Sequence, residues 1–208
     1  MSDTPPTVHV VDDDPAIRKS LARLLSSAGY SYACHESAEA FFTNFLPGAP
    51  GCVLIDLDLP GMDGFGLQES LSSPGIGPPA IFLTGTGDIP ASVRAMKAGA
   101  IDFLTKPVNA SKLLTAVEQA LAIDDANRTE RSASDDLRAH LATLTPRERQ
   151  VLDRVVLGQQ NKQIAAELGT AVKTIKVHRS RMMQKMHMPS VAELVRAMVE
   201  LDAESRGR

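Results

Sequence analysis

Residues 52–64 read CVLIDLDLPGMDG. Cys52-Val53-Leu54-Ile55 is apolar and partly β-branched, Asp56 follows, and Pro60-Gly61 then breaks the run. This is the profile of a buried strand ending at a turn, with a carboxylate on its last residue. In open parallel sheets, ligands sit just beyond the carboxyl ends of the strands. Asp56 is therefore a nucleophile or metal ligand, or else a turn residue capping the following loop.

Outward from this strand, short apolar runs alternate with helix-patterned stretches between residues 7 and 123. Strands are predicted at 7–11, 31–35, 53–56, 80–84 and 101–105, and helices at 15–28, 37–44, 64–72, 90–98 and 111–123. The first helix carries Ile17, Leu21, Leu24 and Leu25 at helical spacing. Such alternation implies a parallel sheet covered on both faces. Over this length it matches the flavodoxin-like strand order 2-1-3-4-5. Cys34 and Cys52 then flank strand 1 at roughly 10 Å, too far apart for a disulfide. Both are expected to be free thiols, as in a reducing cytosol.

A chain of 208 residues accommodates two domains. The start, MSDTPPTVHVV, has no basic n-region or long apolar core, so no signal peptide is expected. The uncharged run from Ser70 to Gly87 is broken by Pro74, Pro78, Pro79 and several glycines, which excludes a membrane helix there. A cytoplasmic protein without membrane attachment is expected. The net charge of −3 hides an asymmetry. From Pro146 to the C-terminus there are 12 Lys/Arg and 7 Asp/Glu, leaving 10 and 18 in the rest. An acidic front and a basic back suggest nucleic-acid contact through the back, although a solvated surface can produce the same bias.

The segment 123–141, IDDANRTERSASDDLRAHL, is polar and reads as a linker that continues the fifth helix for some turns. Beyond it the pattern becomes helical only, with helices predicted at 146–157, 161–168, 171–186 and 190–200. Thr145-Pro146-Arg147-Glu148 has capping-box spacing with Pro at the first helical position. Gly158 and Gly169 stand where helices should stop, and Thr170 is expected to cap the helix after it. The organisation read from this is an α/β domain over 1–123, a linker over 124–143 and a small all-α domain over 144–208.

Strand 1 ends in a second acid cluster, Asp12-Asp13-Asp14. In the 2-1-3 order, Asp12 and Asp13 neighbour Asp56, and carboxylates brought together repel unless a cation joins them. Hard oxygen ligands in a small, hydrated site favour Mg²⁺. Thr84 ends strand 4, and Thr105-Lys106-Pro107 ends strand 5. Singly, Lys106 could be a surface lysine and Thr84 a mere strand end. Together on one edge, the acids, hydroxyl and ammonium have the makings of a phosphoryl-transfer site.

On these residues the chain resembles two families. VVDDDP, DLDLPGMDG, FLTG and FLTKP, in that order, resemble the receiver domain of two-component response regulators. LTPRERQVL, NKQIAAELG and TIKVHRSRMMQKM resemble the LuxR-type helix-turn-helix, and the pairing points to regulators of the FixJ/NarL type. The resemblance implies Asp56 as acceptor of a phosphoryl group from a sensor histidine kinase. It further implies Mg²⁺ on Asp12, Asp13, Asp56 and the Asp58 carbonyl, with Thr84 and Lys106 on the phosphoryl oxygens. Phe103 falls at the aromatic switch position, and a cis peptide is expected before Pro107. Asp58 and Thr86 depart from common family choices at positions that tune the lifetime of the aspartyl phosphate.

In the helical domain the second helix of the motif is expected to enter the DNA major groove. Its apolar side is assigned to Val172, Ile175, Met182, Met183 and Met186. Lys176, Val177 and Ser180 fall at base-reading positions by resemblance, and Lys162, Lys173, Thr174 and Arg179 are expected to contact DNA beside them. His178 is either a packing residue or a DNA contact. The implied partners are the sensor kinase, promoter DNA, RNA polymerase and a second copy of the chain once phosphorylated. Val93, Met96 and Lys97 are candidates for the pairing face, with a core role for Met96 as the alternative. The Asp56-x-Asp58 spacing also matches a haloacid-dehalogenase-type phosphatase, but that motif should follow the first strand rather than the third. A phosphorylation-independent dimerisation scaffold is the other alternative, opposed by the complete set of acids, Thr84 and Lys106.

Overall fold

A computed structural model describes residues 4–71, 77–85, 89–97 and 99–206. Thr86 and the expected helix ends at Ser72 and Ala98 lie outside them. The chain divides into two compact units, Met1–Thr129 and Glu130–Arg208.

The first unit alternates β1 (Thr7–Val11), α1 (Pro15–Ser27), β2 (Ser31–His35), α2 (Ala38–Asn44), β3 (Gly51–Asp56), α3 (Gly64–Leu71), β4 (Ala80–Thr84), α4 (Ile89–Lys97), β5 (Asp102–Thr105) and the part of α5 (Ala110–Ala142) up to Thr129. The strands form one parallel sheet in the order β2-β1-β3-β4-β5, as the pattern predicts. Alternate strand residues enter two cores on opposite faces. Val8, Val10, Leu54, Leu83 and Leu104 pack with Leu21, Leu25, Leu113 and Val117 of α1 and α5. Val11, Val53, Ile55 and Phe82 pack with Phe41, Leu67 and Ala95 of α2 to α4. With both faces covered, every residue of β3 and β4 is buried. Cys34 and Cys52 are both free, as the strand order requires.

Beneath α2 the structure contains a pair that the strand pattern does not reveal. His9 Nδ1 lies 3.1 Å from His35 Nε2; the two rings stack on each other and both meet Phe41 edge to face. Burial, then the charge of His35, lowers the His9 pKa to about 4. A histidine depressed from 6.5 binds its proton more readily in the unfolded chain. Its contribution is therefore intact above pH 6.5 and is lost as pH falls toward 4. We expect His9→Phe to flatten the acid-side loss of receiver stability by about 1–2 kcal/mol, after discounting for the ring's partial exposure. The measurement is urea unfolding of both proteins at pH 7 and pH 4.5; equal pH slopes would refute it.

The fifth helix is longer than the pattern predicts. It runs unbroken from Ala110 to Ala142, so the segment read as a linker is helical almost throughout. Near the start of that segment, Asp124 Oδ2 accepts the Gly51 N–H at 3.0 Å and Arg128 Nη1 donates to the Gly48 carbonyl. Farther on, Leu137 belongs to the core of the second unit. Tertiary anchors of this kind stabilise a polar helix that propensity alone leaves marginal.

The second unit continues with α6 (Pro146–Val156), α7 (Asn161–Glu167), α8 (Val172–Lys185) and α9 (Val191–Arg206). Val151, Leu152, Ile164, Ile175, Met182, Met186 and Leu194 form its core. The capping box forms reciprocally, Glu148 N–H donating to Thr145 Oγ1 and Thr145 N–H to Glu148 Oε2. Thr170, however, does not cap α8. The N-cap position is Ala171, which has no side-chain cap, while Thr170 N–H donates to the Ala165 carbonyl and so belongs to the end of α7. Gly169, at φ +61°, turns the chain there in a conformation that favours glycine. The last helix also extends past the expected residue 200 to Arg206.

Candidate functional site

Strand register assembles the first site. Val11 pairs with Ile55, Asp56 with Leu83, and Thr84 with Thr105. Asp12, Asp56, Thr84 and Lys106 therefore lie along the carboxyl edge of the sheet. Gly64 lets α3 begin directly against this edge, since a Cβ there would come within 2.4 Å of the Asp56 carbonyl oxygen. Asp12, Asp13 and Asp56 each offer a carboxylate oxygen, all within 4.8 Å of one another. Lys106 Nζ stands 2.7 Å from Asp12 Oδ2 and 3.0 Å from Asp56 Oδ2. Thr84 is buried, and its carbonyl accepts the Lys106 N–H at 2.7 Å. The Lys106–Pro107 peptide is cis, as the resemblance implies.

The electrostatics of this cluster are unbalanced. Asp12 and Asp56 are 0 % and 4 % exposed, and three carboxylates face one ammonium. Asp56 Oδ1 has no hydrogen-bond partner, and Asp12 Oδ2 meets Lys106 at ion-pair distance without an aligned hydrogen bond. Burial raises the Asp56 pKa; Lys106 opposes the rise and Asp12 adds to it. Burial works against the Lys106 ammonium too, but the two carboxylates outweigh it and raise its pKa. Buried, under-bonded oxygens with excess negative charge fit a hard divalent cation.

The other expected residues are placed with differing results. Asp58 is exposed and its side chain lies outside the acid group, leaving only its backbone for the expected role. Phe103 is half-buried and packs against the core over α2 to α4. Met96 is 52 % exposed, which removes the core alternative, and Val93 is exposed at 48 %. A residue the sequence reading passed over, Arg18, donates from Nη1 to the Asp12 carbonyl at 2.6 Å. An arginine six residues past the first acid is no signal by itself; only the folded loop brings the two together.

On the second unit, Lys162, Lys173, Thr174, Lys176, Val177 and Ser180 are all exposed. Val172 was expected on the apolar side but is 40 % exposed; it is the first residue of α8, with no preceding turn of that helix beside it. Arg179 is half-buried, and its Nη1 donates to Asn161 Oδ1 at 3.0 Å, tying α8 to α7. His178 has a buried Nδ1 with no partner, which places this nitrogen on the packing side. His187 adopts φ 52° just past α8 and lies 4.6 Å, ring to ring, from His140. Among the described residues no helix is long and apolar enough to cross a membrane.

A doubly wound domain with this edge, followed by a helix-turn-helix unit, defines the class. The family described as "Response regulator receiver domain" matches residues 8–118, and "Bacterial regulatory proteins, luxR family" matches residues 142–198. The chain belongs to the response regulators that join a receiver domain to a LuxR-type DNA-binding domain, and it is a phosphorylation-dependent transcriptional regulator. It is similar to Transcriptional regulatory protein FixJ of Rhizobium meliloti, at 44 % identity over 191 residues, covering 91 % of this chain and 93 % of FixJ. It is likewise similar to Response regulator protein TodT of Pseudomonas putida, at 40 % identity over 196 residues, covering 94 % of this chain and 86 % of TodT. The solved structure of Response Regulator StyR shares 46 % identity and a TM-score of 0.83, covering 95 % of this chain and all of StyR.

Proposed function

We propose that Asp56 accepts the phosphoryl group, from a phosphohistidine on a sensor kinase in the cytoplasm, and that this step controls pairing and promoter binding. The observation that carries the reading is the meeting of Asp12, Asp13 and Asp56 within 4.8 Å, with Lys106 on two of them. Asp56 Oδ2 is oriented by Lys106, which leaves Oδ1 to form the new O–P bond as the P–N bond to the imidazole breaks. Lys106 and Thr84 hold the transferred oxygens, so this chain's part is positioning and charge neutralisation. Mg²⁺ would be held by the carboxylates of Asp12, Asp13 and Asp56 and the carbonyl of Asp58, and when bound it offsets phosphoryl charge. The chain thus catalyses only its own phosphorylation and the hydrolysis of its own aspartyl phosphate. Incubation with acetyl phosphate and Mg²⁺ should add one phosphoryl group by intact mass; no gain would overturn the reading.

Phosphorylation is proposed to bias a two-state element made by Thr84 and Phe103. Pairing of two receivers would then run over the α4–β5 face, where Val93 and Met96 are exposed. Two helix-turn-helix units related by two-fold symmetry call for half-sites about one helical turn apart, hence an inverted repeat. RNA polymerase is the expected recipient of the signal.

On the DNA, Lys162 and Lys173 are assigned to phosphates, with Thr174 beside them, and Lys176, Val177 and Ser180 to bases. Arg179, although tied to Asn161, has further donors for a phosphate. Lys173→Ala is expected to weaken binding to every sequence and lower the salt slope by about one unit. Lys176→Ala should cost roughly 1–3 kcal/mol on the cognate duplex and far less on a scrambled one. Salt titrations on both duplexes separate the two. Identical behaviour of the variants would show that the exposed face of α8 is wrongly divided.

A further inference from the structure

We infer that Arg18 is a positioning residue of the acid site: by holding the Asp12 carbonyl it orients the Asp12–Asp13 peptide and so presents Asp13 to the cation. This rests on the reading of Asp12, Asp13 and Asp56 as a Mg²⁺ site. Three polar atoms of Asp12 are hydrogen-bonded and the fourth meets a cation. Its N–H donates to the His35 carbonyl at 3.2 Å, its Oδ1 accepts the Asp14 N–H at 2.9 Å, its Oδ2 faces Lys106, and its carbonyl accepts from Arg18. Asp14 in turn caps α1 through Ala16 N–H at 2.7 Å, and Arg18 N–H donates to the Asp14 carbonyl. The loop is thus clasped from both ends, with exposed Asp13 at its crest.

Arg18 acts at the point that matters for Asp13. A peptide unit is planar, so fixing the Asp12 oxygen fixes the tilt of the whole Asp12–Asp13 unit. That tilt sets ψ of Asp12 and φ of Asp13, and therefore the direction in which the Asp13 side chain leaves the backbone. Arg18 can do this because it is rooted one turn into α1 and half-buried, its own backbone N–H tied to the loop. A planar guanidinium also keeps its aim better than a flexible ammonium.

Charge and positioning predict effects of opposite sign, which makes the test decisive. Removing a cation from beside an acid cluster by itself favours a second cation, so a purely electrostatic Arg18 would yield tighter Mg²⁺ binding in Arg18→Met. A positioning Arg18 yields weaker binding, by about 10-fold on the scale of outer-shell partners of metal ligands. The experiment titrates Mg²⁺ alone into the full-length chain by calorimetry, for wild type, Arg18→Met, Arg18→Lys and Asp13→Asn. Arg18→Lys retains a donor and is expected to fall between wild type and Arg18→Met. Unchanged or tighter binding by a folded Arg18→Met overturns the inference. Should that variant fail to fold by circular dichroism, wild-type affinity in Arg18→Lys overturns it instead. Absence of saturable Mg²⁺ binding in the wild type, with no difference from Asp13→Asn, removes the metal-site reading itself rather than the role of Arg18 alone.

Discussion

Asp56→Asn is expected to gain no phosphoryl group from acetyl phosphate and Mg²⁺, where the wild-type chain gains one. The loss should be complete because neither Asp12 nor Asp58 can substitute and Asp13 is assigned to the cation. Asp12 is held by four separate contacts, and the side chain of Asp58 lies outside the cluster. Nor should the variant lose its fold. Burial raises the Asp56 pKa, so the folded chain disfavours the ionised form and a neutral amide of equal size relieves repulsion with Asp12. The melting temperature is therefore expected to stay level or rise. Intact mass reads the phosphorylation, and a single phosphoryl adduct retained in a folded Asp56→Asn chain would move the nucleophile to another residue.

The largest expected effect on stability lies in the helical unit, at Glu148. This carboxylate is 3 % exposed, yet it accepts Lys185 Nζ at 2.6 Å and the Thr145 N–H at 2.9 Å. The Lys185 ammonium first, then the Thr145 N–H, holds its pKa down at about 2. Lys185→Met leaves a covered carboxylate without its cation. The expected cost is about 2–3 kcal/mol, below that of a fully buried pair because Lys185 is itself partly exposed. The pH dependence has a definite sign. A depressed carboxylate contributes stability that is intact above pH 4.5 and lost as pH falls toward 2. The wild-type protein should therefore lose more stability than the variant across that window. Denaturant unfolding at pH 7 and pH 3 checks both points; equal losses would detach Glu148 from Lys185.

What could be read in the sequence was whatever depends on local pattern. β1, β2 and β4 stand where the pattern placed them; β4 is apolar throughout because it is buried on both faces, whereas β2 lies at an edge of the sheet and is mostly exposed. The acid site followed, since strand order alone brings Asp12, Asp56, Thr84 and Lys106 to one edge. Features set by tertiary contact were not legible. Residues 124–142 were expected to continue the fifth helix for only some turns, because their sequence is polar and the full length relies on anchors such as Asp124 on Gly51 and Leu137 in a core. The displacement of the α8 cap from Thr170 to Ala171 depends on how α7 ends, with Thr170 bonded back to Ala165. The His9–His35 and Glu148–Lys185 pairs join residues 26 and 37 positions apart, beyond any helical or strand period.

The acid site is finished by Lys106, just past β5, the last strand of the sheet and one of its two edges. Asp12 follows the first strand made and Lys106 the fifth, so the ion pairs that join them span nearly the whole receiver. A ribosome-bound chain that has released only residues through β4 carries all three acids but lacks their cationic partner.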